Sequence, residues 1–214
     1  MKCAKGRLVA VVVIFLLAIT PFSFSARFDF APCDDYIYVK EKREVTGGLS
    51  MANAAWALRH VGDGIWMPGT WLSYQLDCTL FGVNPKAMHV HSVVVHGLNT
   101  VLLLWLLMLL MPANAKRRGL VAAGAALVWA VHPLRVESVA WIASRKDVLS
   151  MFWLLLSLIA WIWGRNRQGR EAVGGYVASL AFVCIGAMCK PSVNVYPGLV
   201  FLLDWLVLLH LVQI

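Results

Sequence analysis

The sequence has 214 residues, of which 60% are apolar and only 14% charged, with a mean hydropathy of +0.72. Soluble domains carry about 25% charged residues; here the apolar residues are bunched into runs, so a water-soluble domain is excluded and lipid is the expected solvent. The net charge of +8 does not point to nucleic acid, because nine of the nineteen cations lie in three short connectors and no solvated basic face is visible.

Those connectors hold Lys2, Lys5 and Arg7, then Lys116, Arg117 and Arg118, then Arg165, Arg167 and Arg170, opposed only by Glu171. Nine of the eleven acidic residues fall in the alternate connectors. This asymmetry predicts that both termini and the basic turns are cytoplasmic. Five cysteines (Cys3, Cys33, Cys78, Cys184 and Cys189) have no metal-ligand spacing. Cys33 and Cys78 share one outer segment, where a disulfide between them is compatible.

In chain order, residues 1–26 read as a first transmembrane helix, a signal-anchor whose small residues near Ser23 and Ser25 also fit a cleaved signal peptide. Residues 27–88 are too polar to span and form a large extracytoplasmic loop. Its LSMANAAWALRH stretch is amphipathic, and Trp56, Trp66 and Trp71 suit an interfacial position. Residues 89–214 hold five further predicted spans: His89 to Met111, Gly119 to Pro133, Val148 to Trp163, Ala172 to Cys189 and Ser192 to Val212. The sixth span of the chain is interrupted by Pro197 and Asp204. The predicted fold class is an all-α polytopic membrane protein of about six transmembrane helices.

The connector HPLRVESVAWIASRKDVLS gathers Arg135, Glu137, Arg145, Lys146 and Asp147. From Gly119 to Leu134 is 16 residues, about 24 Å of helix against a ~30 Å hydrocarbon core, so these charges start at or below the outer interface. Charges there are costly unless they face a polar cavity or a partner. If the helix opened by Pro133 continues, Arg135 and Lys146 fall within about 20° of each other on one stripe. Two such cations suit a lipid phosphate; the alternative is an interfacial connector whose cations reach lipid headgroups.

In FDFAPCDDYIYV, the adjacent carboxylates Asp34 and Asp35 offer a general base whose neighbour raises its pKa. The pair could also hold a divalent cation through oxygen ligands, or form a solvated turn. His89, His91 and His96 allow a shared helical face, which is expected to line a polar cavity or to hydrogen-bond within the bundle.

DDYIYV, GGLS, PGTWLSYQLDCTLFGVNP, HPLRVESVAWIASRKDVLS and KPSVNVYPGLVFLLDW, in this order, resemble the transmembrane and tetratricopeptide-repeat glycosyltransferases, close to protein O-mannosyltransferases of the GT-C fold. The resemblance runs from about Phe28 to Trp205 and covers only the amino-terminal membrane part of that family, whose members continue with more spans and a repeat array. It implies a GT-C-like helical bundle that moves a sugar, mannose-like, from a polyprenyl- or dolichyl-phosphate donor to Ser or Thr hydroxyls of an acceptor protein, with inversion. Asp34 or Asp35 would be the base. Arg135, Arg145, Lys146 and Lys190 would neutralise the leaving phosphate, with His132 beside them, and Glu137 and Asp147 would orient those cations or contact the sugar. The site would face the periplasm of a bacterial inner membrane or, alternatively, the lumen of the endoplasmic reticulum.

The sequence departs from the family pattern at Tyr36, at Lys42-Arg43, at Met67, at Gly69 and at Met88-His89. These positions cluster in the outer loop and bear on donor and acceptor specificity. Two other classes fit the residues: a non-catalytic membrane module that binds lipid phosphate or scaffolds partners, and a transporter or flippase-like protein for which Asp204 would mark a pathway.

Overall fold

The computed structural model describes residues 2–32, 34–62 and 64–208. Among them the chain is helical with no strand; Gly62 and Ile65 form an isolated β-bridge. Helix α1 (Lys2–Ile19) runs into a 3₁₀ stretch, Thr20–Arg27, where Pro21 removes a backbone donor. The outer segment then folds as a π-turn (Tyr36–Lys40), α2 (Arg43–Thr46), α3 (Met51–Arg59) and α4 (Pro68–Phe81). The bundle continues with α5 (Pro85–Leu110), α6 (Arg118–Ala130), α7 (Arg135–Ala140), α8 (Arg145–Arg165), α9 (Gly169–Cys189) and α10 (Tyr196–Leu208).

Local chemistry sets several of these boundaries. Asn84 caps α5 by accepting the Ala87 N–H at 3.3 Å, with Pro85 at the first helical position where no donor is needed. Ser50 caps α3 through the Asn53 N–H at 3.1 Å. Gly82, at φ 68°, ends α4 in a left-handed conformation that a side chain would strain.

Four helical stretches among the described residues are long and apolar enough to cross a membrane: Gly6–Arg27, Pro85–Leu110, Ile142–Arg165 and Gly169–Cys189. Helix α6 has 13 residues, about 20 Å, and is shorter than a span because the chain turns at Val131–Leu134. The expected last span is described only to Leu208, and its remainder lies outside the described residues. Of the six expected spans, four are long and apolar enough among the described residues.

Helices α8 and α9 form the most intimate pair. Gly164 and Gly175 meet so closely that a Cβ on Gly175 would come within 2.4 Å of the Gly164 Cα. Nearby, the Ser157 and Ser179 hydroxyls donate to each other's backbone carbonyls at 2.9 and 2.7 Å, and Tyr196 Oη joins Ser179 Oγ at 2.7 Å. Small residues allow the approach, and reciprocal hydrogen bonds satisfy hydroxyls that lipid could not. At the end of the bundle that holds the basic turns, Asp204 pairs with Arg165 at 2.5 Å, an interhelical contact.

The outer segment packs over the opposite end. Its core contains Val39, Val45, Ala57, Met67 and Trp71, together with Ile142 and Ala143 of the connector. Trp71 is fully buried there rather than interfacial, unlike the partly exposed Trp66. Thr70 donates to the Cys189 carbonyl at 3.0 Å, and Gly69 lies against the Cys189 thiol, which fixes α4 to the end of α9. Cys33 lies outside the described residues, and so does its expected pairing; Cys78 is a buried free thiol pushed up to about 11, chiefly by burial.

Candidate functional site

The expectation of one cationic stripe fails at Trp141. Its extended backbone, φ −90° and ψ 124°, ends α7 after six residues, and a short 3₁₀ turn, Ile142–Ser144, separates it from α8. Arg135 and Lys146 therefore belong to different helices.

Arg135 faces a cavity of about 250 Å³ that α5, α6, α7 and α8 enclose with the chain after α9. Its guanidinium stands 5.2 Å from the Trp129 ring. No carboxylate among the described residues pairs with it, and its buried Nε has no hydrogen-bond partner. Lys190 and Asp147 also line the cavity and form an ion pair with each other. Ser138 Oγ is 3.5 Å from the other Asp147 oxygen. His96 and Asn99 from α5 and Ser150 from α8 complete the polar wall. His96 Nε2 is 3.0 Å from the Ala130 carbonyl and Asn99 Nδ2 donates to the Val148 carbonyl at 2.9 Å, so these side chains also tie α5 to its neighbours.

Arg145 takes a different place. It is fully buried, and its Nη1 donates to Asp77 Oδ2 at 2.5 Å and to Ser73 Oγ at 3.2 Å. Nη2 donates to the Met88 carbonyl at 2.8 Å, and the guanidinium lies 4.7 Å from the Tyr74 ring. Asp77 also meets His91 Nδ1 at 2.7 Å. With these donors engaged, Arg145 joins α4, α5 and α8 and is not among the residues lining the cavity. Lys146 donates to the Ala143 carbonyl at 2.9 Å and stands 4.9 Å from the Tyr38 ring, while the charges of Asp34, Glu137, Asp147 and Lys190 all act on it. His132 is exposed in the turn before α7, where Nδ1 accepts the Leu134 N–H at 3.2 Å.

The two adjacent carboxylates also part company. Asp35 is fully buried, and its oxygens accept the N–H groups of Ala31 and Ala143, each at 2.8 Å. Burial pushes its carboxyl above the usual 3.8, against the pull of those two N–H donors. Asp34 is half-buried. Among the described residues no three His, Cys, Asp or Glu side chains are grouped to hold a metal ion.

A second cavity, about 380 Å³, lies on the other face of α7 and is lined by Asp35, His89, Glu137, Phe28 and Trp141 among others. Sequence reading anticipated a polar cavity beside the α5 histidines but missed Asn99, Trp129, Ser138 and Ser150. The one available signal was polar residues at three- and four-residue spacing inside apolar helices.

No family model matches the chain, and no solved structure matches it significantly. Among curated proteins, protein O-mannosyl-transferase Tmtc1 of Drosophila melanogaster is 29% identical over 166 residues, 74% of this chain and 18% of the relative. Protein O-mannosyl-transferase TMTC1 of Mus musculus is 32% identical over 136 residues, 60% of this chain and 14% of the relative. The Homo sapiens TMTC1 protein is 36% identical over 105 residues, 49% of this chain and 11% of the relative. The chain thus spans less than a fifth of the length of these relatives. Among the described residues it is helical, with four helices long and apolar enough to cross a membrane, and it has distant relatives among the protein O-mannosyl-transferases.

Proposed function

We propose that the chain is the membrane part of a glycosyltransferase that takes a sugar from a polyprenyl- or dolichyl-phosphate donor and passes it to Ser or Thr hydroxyls of a protein. The observation that carries this reading is Arg135: an arginine without a carboxylate partner among the described residues, facing a polar cavity at the end of an otherwise apolar bundle. A guanidinium in that setting is suited to a phosphate, which it can hold through paired hydrogen bonds. Lys190 stands ready as a second cation once Asp147 releases it, and Ser138 is placed to take over the Asp147 carboxylate. The similarity to protein O-mannosyl-transferases supports the same chemistry.

In this reading the acceptor hydroxyl loses its proton to a carboxylate and attacks the anomeric carbon. The carbon–oxygen bond to phosphate breaks, and the phosphate departs with the electron pair toward Arg135 and Lys190. Stabilising that developing charge in a site poor in water contributes most of the rate. Arg145 acts at a distance from the chemistry, by holding the outer segment on the connector. Only the lipid phosphate and the hydroxyl are specified, so the reading serves a bacterial inner membrane and an endoplasmic reticulum alike.

The test is transfer of radiolabelled sugar from a panel of polyprenyl-phosphate sugars to protein, in membranes containing this chain. Wild type transfers label and Arg135→Gln, at equal expression, does not. Equal labelling with and without the chain overturns the proposal.

A non-catalytic module that binds lipid phosphate is the second reading. The double engagement of Asp35 by backbone N–H groups favours it, because it withdraws one of the two carboxylates expected to be the base.

A further inference from the structure

At the end of the bundle that holds the basic turns, an open groove of about 530 Å³ lies between α1 and α6, over α5. Its walls follow helical spacing: from Arg7 to Ile14 on α1, from Val101 to Met108 on α5, and Gly119 with Ala123 on α6. Residues three, four and seven apart share one face of a helix, so α1 and α5 each give the groove one continuous stripe. Seven residue steps rise about 10 Å, a third of a ~30 Å hydrocarbon core, so the groove stays within one leaflet. The cavity that Arg135 faces draws on other parts of the same helices, His96 and Asn99 on α5 and Trp129 on α6.

Small residues leave the space open: a Cβ on Gly119 would meet nothing within 4 Å. Arg7 is the one charged residue in an otherwise apolar lining. It is exposed, and no hydrogen bond or ion pair among the described residues engages it. Lys116 and Arg117 are exposed on the turn that leads into Gly119, and no carboxylate among the described residues pairs with them either. Arg118 is differently engaged, since its Nη2 donates to the Met108 carbonyl and answers the carbonyl end of α5. No side chain caps the first turn of α6, so its N–H groups add to the positive field. Helices α1, α5 and α6 contain no Asp or Glu that could neutralise it.

We infer that this groove binds one anionic phospholipid from the leaflet at the basic-turn end. An acyl chain lies along α5 between α1 and α6, and the headgroup phosphate sits at Arg7 and the Lys116–Arg117 turn. An anionic headgroup answers the unpaired cations, whereas the ammonium of a zwitterionic lipid would oppose them. The groove's reach within one leaflet suits an acyl chain. The lipid joins α1 to α6, so its binding stabilises the folded bundle. The site stands whether or not the chain is a transferase.

The experiment measures retention of radiolabelled phosphatidylglycerol, against phosphatidylcholine with the same acyl chains, on the immobilised detergent-solubilised chain. Wild type is expected to retain phosphatidylglycerol selectively, and its melting temperature to rise more with that lipid than with phosphatidylcholine. Arg7→Gln should weaken phosphatidylglycerol retention about fivefold, which corresponds to about 1 kcal/mol for one cation near an anionic surface. Arg7→Lys, which keeps the charge, should hold most of the wild-type retention. Gly119→Phe, which sets a ring in the open groove and leaves the charge unchanged, should also lose retention. Arg170→Gln removes an exposed cation from the other basic turn and should bind as wild type does. Equal retention of the two lipids by wild type overturns the proposal. So does an equal loss in Arg7→Gln and Arg170→Gln, which would mean diffuse surface charge, or wild-type retention by Gly119→Phe, which would place the lipid outside the groove.

Discussion

Arg145 opens α8 and meets Asp77 of α4 at 2.5 Å, with side-chain exposures of 0% and 4%. This buried pair fastens the outer segment to the bundle. Removing one partner leaves the other charge buried and uncompensated, which costs about 3–5 kcal/mol. Asp77→Asn and Arg145→Met should each lower the denaturation midpoint in detergent strongly. The double variant Asp77→Leu with Arg145→Met should recover much of the loss, because no unpaired charge is left. A double variant as unstable as the sum of the singles would show that the pair is not what holds α4.

The α8–α9 seam makes a sharper structural prediction because adjacent glycines differ. A Cβ on Gly175 meets the Gly164 backbone, whereas one on Gly174 has nothing within 4 Å. Gly175→Ala should destabilise by about 1–3 kcal/mol through overpacking. Gly174→Ala should be neutral or slightly stabilising, since alanine is the better helix former. Thermal melting of the two purified variants reads the difference directly.

Asp35 predicts a pH dependence with a definite sign. Its carboxyl is raised from 3.8, mainly by burial, so the folded chain holds this proton more tightly than the unfolded chain does. Its contribution to stability is therefore fully present below 3.8 and is lost as pH rises through the raised value. The melting temperature of wild type should gain on that of Asp35→Asn as the pH is lowered from neutral toward 4. A difference that stays constant, or shrinks on acidification, would contradict the burial.

Much of the bundle was legible because lipid imposes a simple code: long apolar runs and basic turns located Pro85–Leu110 and Gly169–Cys189 without any knowledge of contacts. The connector's charges also stood out against their apolar surroundings. What stayed hidden were pairings that fold distance creates. Nothing local to Arg145 announces Asp77, 68 positions earlier, and an arginine free for phosphate reads the same as one already engaged. The break at Trp141 was equally silent, since no Gly or Pro marks it. That break sets Arg135 and Glu137 on a short helix of their own and separates them from Lys146.

Lys190 and Asp147 form an ion pair in the cavity that Arg135 faces. If Lys190 is the second phosphate cation, Lys190→Gln should weaken donor retention by a smaller factor than Arg135→Gln, because part of its attraction is already spent on Asp147. Asp147→Asn should strengthen retention by freeing that lysine. Weaker retention in Asp147→Asn would assign the carboxylate to the ligand instead.

The most direct test of the phosphate site is retention of radiolabelled undecaprenyl phosphate, against undecaprenol, on the immobilised detergent-solubilised chain. The two lipids differ only in the phosphate. Selective retention of the phosphate by wild type, weakened about tenfold or more in Arg135→Gln, is the predicted result, as a charged hydrogen bond contributes about 1.5–3 kcal/mol. Equal retention of the two lipids, or an Arg135→Gln variant that binds the phosphate as well as wild type does, would contradict it.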